Sequence, residues 1–130
     1  VTDPSGRYMV NYKRWHLIGL ELPYSVASVG IRGEATGAAT EFRADVVAVA
    51  KRDLSAGELL DGEGGYTVSG GLRPALLSVR NGYVPLGLAH QVKLIRSVVK
   101  DQAVSWDDIE IDPTTSAYRL RKKVEAGVAQ

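Results

Sequence analysis

Three observations predict a mainly β domain with short flanking helices and a C-terminal helix. An apolar strand, sharp turn and return segment run from Asp45 to Gly62, a second copy follows at Leu94 to Ile109, and turn-forming glycines lie between them. The first hook reads DVVAVAKRDLSAGELLDG and the second LIRSVVKDQAVSWDDI. Val46, Val47, Val49 and Leu54 favour a pleated backbone, and Gly57 accepts the positive φ that the turn demands. At a constant offset of 44 residues, Val98, Lys100, Asp101, Gln102 and Val104 stand against Leu54, Ala56, Gly57, Glu58 and Leu60. Of the aligned residues only Arg52 and Arg96 are identical. The turn residues are therefore Gly57 in the first copy and Asp101 in the second. Neither hook buries its apolar face alone, so the two are expected to close on one core.

Taken in order, the chain divides into a lead of strand and short helix (1–44), the double-hook core (45–112) and a C-terminal helix (113–130). Val1 to Gly6 reads as loop, and Arg7 to Leu20 as extended at least in part. Pro23 suits the first turn of a short helix, with Leu22, Val26 and Val29 at helical spacing. Arg32 to Ala44 is a connector of small and polar residues. In GEGGYTVSGG (62–71) the glycines bracket a strand-like Tyr66 to Val68, Leu72 to Val79 is open between strand and helical turn, and Asn81-Gly82 is a turn signal. Leu86 to Gln91 reads as a helical turn. Ser105 and Asp108 resemble a capping box for one turn carrying Trp106. Thr114 or Thr115 caps the last helix, where Ala117, Leu120 and Val124 form one stripe and Arg119, Arg121, Lys122 and Lys123 the other face.

Composition narrows the function classes. A chain of 130 residues fits one domain and buries about two thirds of its unfolded surface. With no cysteine, disulfides and thiolate metal sites are excluded, in keeping with a reducing cytoplasm. Sixteen basic against fifteen acidic residues create no general field for nucleic acid or an anionic membrane, and no apolar run approaches the roughly 20 residues of a membrane span. The chain opens at Val1 in a loop-like VTDPSGRY and is expected to be the C-terminal piece of a larger protein.

The best candidates for chemistry by residue type are Lys13, Arg14, Trp15 and His16, joined by Glu21. Cations, a ring and an imidazole suit an anionic ligand or an interface. The competing reading is a strand in which Tyr12, Arg14 and His16 face one way while Lys13 and Trp15 face the other. His90, among small and apolar residues, reads as structural, and Glu34, Asp107 and Asp108 as turn or cap residues. The glycines at 62–71 form neither a Walker loop nor a dinucleotide fingerprint. No residue is assigned as catalytic, and no metal is expected.

KRDLSAGE at Lys51–Glu58 and its weaker repeat resemble the SAF domain, the small β-clip module of sialic acid synthases, antifreeze-like proteins and altronate dehydratases. WHLIGLELPYSVASVGIRGEATGA (Trp15–Ala38) and VPLGLAHQVKLIRSVVKDQAVSWDDI (Val84–Ile109) are similar to the C-terminal region of homoserine-dehydrogenase-like NAD(P)-dependent oxidoreductases, a group that includes 1-deoxy-D-xylulose 5-phosphate reductoisomerase-like enzymes. His16, Leu17, Gly19, Glu21 and Pro23 match that family's H-L-x-G-x-E-x-P pattern. The resemblance implies a cytoplasmic oxidoreductase with NAD(P) on an upstream Rossmann domain, chemistry in the domain after it, and no cofactor on this module. This module would complete the fold, shape the substrate cleft and mediate subunit contacts, including those of a homo-oligomer. Two alternatives from other classes are a stand-alone sugar-binding SAF module, favoured by an exposed Trp15 or Trp106, and a periplasmic flagellar P-ring assembly chaperone domain.

Overall fold

Alternating apolar residues and well-placed turns build the hooks, as a computed structural model describing residues 1–6, 8–37 and 39–128 makes plain. Arg7, where the extended lead was placed to begin, and Ala38, the last residue of the first family-like run, lie outside the described residues. The chain forms two units, Val1–Thr40 and Glu41–Gln130.

In the first unit, Thr2 and Met9 form an isolated bridge, and α1 spans Ile18–Ala27 before a π-helical turn at Ser28–Arg32. Gly33, at φ 66°, ends the turn in the left-handed conformation that stops helices. The expected strand through Tyr12 to His16 does not form. Pro23 lies inside α1 and not in its first turn, because the helix starts earlier, where Glu21 supplies its cap. Without an N–H, Pro23 leaves one helical bond unmade, at the carbonyl of Gly19.

The second unit holds β1 (Ala44–Ala50), β2 (Leu59–Asp61), β3 (Val68–Pro74), α2 (Ala75–Arg80), β4 (His90–Leu94), β5 (Ile109–Glu110) and α3 (Ser116–Val128), with 3-10 turns at Leu86–Leu88 and Trp106–Asp108. β1 pairs with β3, and β2, β4 and β5 form a second antiparallel sheet in that order. Helix and strand take comparable shares of the protein, 31% and 26%, so the architecture is mixed and not mainly β. The excess helix comes from α1 with its π turn and from α3.

The hooks close on each other about a pseudo-two-fold axis. Leu54 and Val98 exchange both backbone hydrogen bonds (2.8 and 2.9 Å), which places the axis at that pair. Gly57 N–H to Leu94 O (2.7 Å) matches Asp101 N–H to Ala50 O (2.8 Å), and Leu94 N–H to Glu58 O matches Ala50 N–H to Gln102 O. Side chains obey the same relation, since the Asp53 carboxylate accepts the Lys100 N–H and the Ser97 hydroxyl accepts the Ala56 N–H. Gly57 (φ 93°) and Asp101 (φ 67°) both take the left-handed conformation, which aspartate tolerates better than most residues. The core repeats too: Ala48 with Val92, Ala50 with Leu94, Leu54 with Val98, and Leu60 with Val104 are all buried.

Gly70 and Gly71 lie within β3 and do not merely bracket it. A Cβ on Gly70 would stand 2.8 Å from Val46 Cγ1, and one on Gly71 2.6 Å from Val49 Cγ2, so close strand approach requires glycine. The Trp106 turn carries the expected capping box of Ser105 and Asp108. Its counterpart in the first hook is the loop closed by Asp61. The Thr67 hydroxyl, with the N–H groups of Tyr66 (2.5 Å) and Thr67 (3.0 Å), holds the Asp61 carboxyl down at about 2. Because the folded-state value is depressed, this contribution is complete above the ordinary carboxyl value of about 4 and is lost as pH falls through the folded one. Asp61→Asn is therefore expected to flatten the stability profile between about pH 4 and about pH 2, read by thermal melts across that range. An unchanged acid limb would place the loss elsewhere.

α3 packs opposite to the expected sense. Leu120 (64% exposed) and Val124 (40%) face outward, whereas Arg121 and Glu125 turn inward. The reason is Asp45, a buried carboxylate on β1 that needs a cation. Arg121 meets it with two nitrogens (3.0 and 2.5 Å), the Ser78 hydroxyl adds a third bond, and the guanidinium lies 5.0 Å from the Phe42 ring. Lys122 sits over the rings of Trp106 and Tyr118. Thr115 caps the helix, its hydroxyl oxygen accepting the Tyr118 N–H.

Candidate functional site

The start of α1 gathers the candidate residues around one carboxylate. Leu17 precedes the helix with a side chain that offers no cap, so Glu21 reaches back to the Leu17 N–H (3.1 Å) and satisfies an otherwise orphaned donor. A carboxylate there also suits the positive end of the helix. Lys13 pairs with the same oxygen, and His16 Nδ1 lies 2.6 Å from the other. The Lys13 hydrogen bond, then the Leu17 N–H, draws the Glu21 carboxyl below its ordinary value. Such a carboxylate is a poor general base, because its acceptor sites are already spent on donors.

Arg14 stands apart from this trio and stacks on Trp15, its guanidinium carbon 4.9 Å from the ring centroid. Trp15 is 63% exposed. The structure thus joins Lys13, His16 and Glu21 in one network and Arg14 with Trp15 in another, all at the surface. Glu21, Lys13 and His16 are thus one another's partners. With the His16 side chain 75% exposed, its loss leaves no cavity.

The remaining candidates take structural places. Glu34 pairs with Arg32 (3.0 Å), and Asp108 closes the Trp106 turn. His90 donates from Nδ1 toward the Asp61 carbonyl at 3.0 Å. Trp106 forms no open platform, since Tyr118 meets it edge-on at 5.5 Å and Lys122 covers it. Among the described residues, no group of three or more His, Cys, Asp or Glu is placed to hold a metal ion. Sequence reasoning missed Gln91, a non-glycine residue at φ 55°, and the Asp45–Arg121 pair. A lone carboxylate in the apolar run of β1 was the available signal for the pair, whereas nothing in the sequence marks Gln91.

The first unit has a second property that bears on function. None of its described residues is buried, although it is rich in large apolar side chains. Leu20 (73% exposed), Leu22 (62%) and Ile31 (84%) are typical, and α1 is apolar around most of its circumference. Helices apolar all round are generally buried in folded proteins. No helix among the described residues is long and apolar enough to cross a membrane. Neither family models nor curated proteins yield a match to this chain.

Proposed function

We propose that this chain is the C-terminal SAF-type module of a larger, cytoplasmic NAD(P)-dependent oxidoreductase of the homoserine-dehydrogenase-like or reductoisomerase-like kind. It is non-catalytic by itself. The observation that carries this reading is the first unit's apolar surface without a core, which falls on the segment most similar to that family. The upstream Rossmann and catalytic domains are the proposed cover, and the second unit's double hook serves as the self-sufficient β-clip. The Lys13–Glu21–His16 network keeps the start of α1 ordered at that junction, and Arg14 with Trp15 faces the partner domain.

Leu20→Asp tests the reading. Because Leu20 is exposed here, the melting temperature of this chain is expected to stay unchanged, while the oxidoreductase that contains it loses assembly and turnover. Titration of the chain with NADH or NADPH is expected to give no binding, as no strand, glycine loop and helix N-terminus among the described residues combine to receive a pyrophosphate. Micromolar binding of either cofactor would overturn the assignment.

One observation favours the sugar-binding alternative, namely the exposed Trp15 ring. Saturable quenching of its fluorescence by a simple sugar, abolished in Trp15→Ala, would move the conclusion there.

A further inference from the structure

The turn signal Asn81-Gly82 takes no part in the proposed function, yet the pair carries chemistry of its own. An asparagine followed by glycine is open to attack from within the chain, because a glycine nitrogen reaches the asparagine Cγ with no side chain in the way. Asn81 suits this reaction. It is exposed, its side-chain amide holds no hydrogen bond among the described residues, and it borders a cleft of about 280 Å³ through which water reaches it. The related pair Asp61-Gly62 is tied down, since the Asp61 carboxylate already accepts the Tyr66 and Thr67 N–H groups and the Thr67 hydroxyl.

The folded turn withholds the reaction. Asn81 ends α2 at φ −90° and ψ 0°, which eclipses its own nitrogen with that of Gly82. A ring closed through Cα, C, N, Cγ and Cβ needs Cβ in that eclipsed place instead. The Gly82 N–H is also spent on the Val79 carbonyl (3.1 Å). Bonds on either side hold the turn shut, Tyr83 N–H donating to the Ser78 carbonyl (3.0 Å) and Trp106 N–H to the Gly82 carbonyl (2.8 Å). Ring closure therefore requires local opening.

We propose that Asn81 is a deamidation site gated by this turn. Once the turn opens, the Gly82 nitrogen loses its proton to solvent and bonds to Asn81 Cγ. The Cγ–Nδ2 bond breaks, and that nitrogen takes a proton from water and leaves as ammonia. Water then splits the cyclic imide at either carbonyl, giving aspartate or isoaspartate with no oxidant or cofactor consumed. The product does not refit. A carboxylate here stands at the negative end of α2, and isoaspartate adds a backbone atom between partners whose bonds to Val79 and Trp106 are set without it. The site thus records opening of the link between α2 and the Trp106 turn, and it goes beyond the oxidoreductase reading without depending on it.

The test is incubation of the whole chain in mildly alkaline buffer, with and without guanidinium chloride, followed by peptide mapping of the mass gain that amide-to-acid conversion brings. Asn11, the chain's other asparagine, is followed by Tyr12 and serves as the internal reference. Conversion at Asn81 is expected to run about tenfold or more faster in denaturant than in the folded chain, since only the open fraction reacts. In denaturant it should also outrun conversion at Asn11. Asn81→Gln should remove the gain at this position, and chain converted in denaturant and then refolded should melt below the parent. Equal rates in folded and unfolded chain, conversion at Asn81 no faster than at Asn11 in denaturant, or converted chain that melts with the parent would overturn the proposal.

Discussion

Asp45→Ala is expected to destabilise the protein by about 3 kcal/mol, the scale for breaking one side of a buried ion pair. Asp45 is 6% exposed and the Arg121 side chain 9%, so the orphaned guanidinium regains little water. Burial pushes the Asp45 carboxyl up, but the hydrogen bonds from Arg121 and Ser78 more than offset this and leave it below its ordinary value. Glu125, 2.8 Å from Arg121, keeps part of the charge compensated, which argues for the lower end of the range. The double substitution Asp45→Ala with Arg121→Met should recover much of the loss, because no unpaired charge then remains. Recovery should be incomplete, since the buried Ser78 hydroxyl still lacks its acceptor. Urea melts of the parent and the two variants check this, and a double variant no better than Asp45→Ala would show that packing, not charge, ties α3 down.

Leu54→Ala is expected to cost about 2 to 5 kcal/mol, the range for emptying a buried leucine site. Leu54 is 2% exposed and lies on the pseudo-two-fold axis, where both hooks meet. A cavity there touches both halves of the core at once, and the backbone bonds exchanged with Val98 resist collapse around it. Val98→Ala, its counterpart, removes fewer atoms and should cost less. If equilibrium melts of Leu54→Ala and parent coincide, the hooks do not share one core.

The hooks were legible because each encodes its own strand, turn and return, and because residues at one offset face similar surroundings. Asp101 could be placed against Gly57 on spacing alone, and both residues take positive φ. The orientation of α3 was not legible. Its apolar stripe suggested Leu120 and Val124 inward, but the inward side is chosen by Asp45, 76 residues before Arg121, and local periodicity carries no trace of so distant a partner. The mixed fold was underestimated for a related reason. The helix from Ile18 to Ala27 begins upstream of Pro23 because Glu21 caps it from inside, a role that spacing did not reveal. At the candidate site, residue types pointed to Lys13, His16 and Glu21, whereas their mutual pairing needed the turn into α1.

Under the proposed function, another domain covers the first unit while the double hook folds by itself. Hydrogen exchange on the isolated chain tests it most directly. Slowest exchange is expected at the amides of Ala50, Leu54, Leu94 and Val98, which bond across the two hooks, and fast exchange throughout Ile18–Ala27. Protection of Ile18–Ala27 as strong as that of the hooks, in the chain alone, would contradict it.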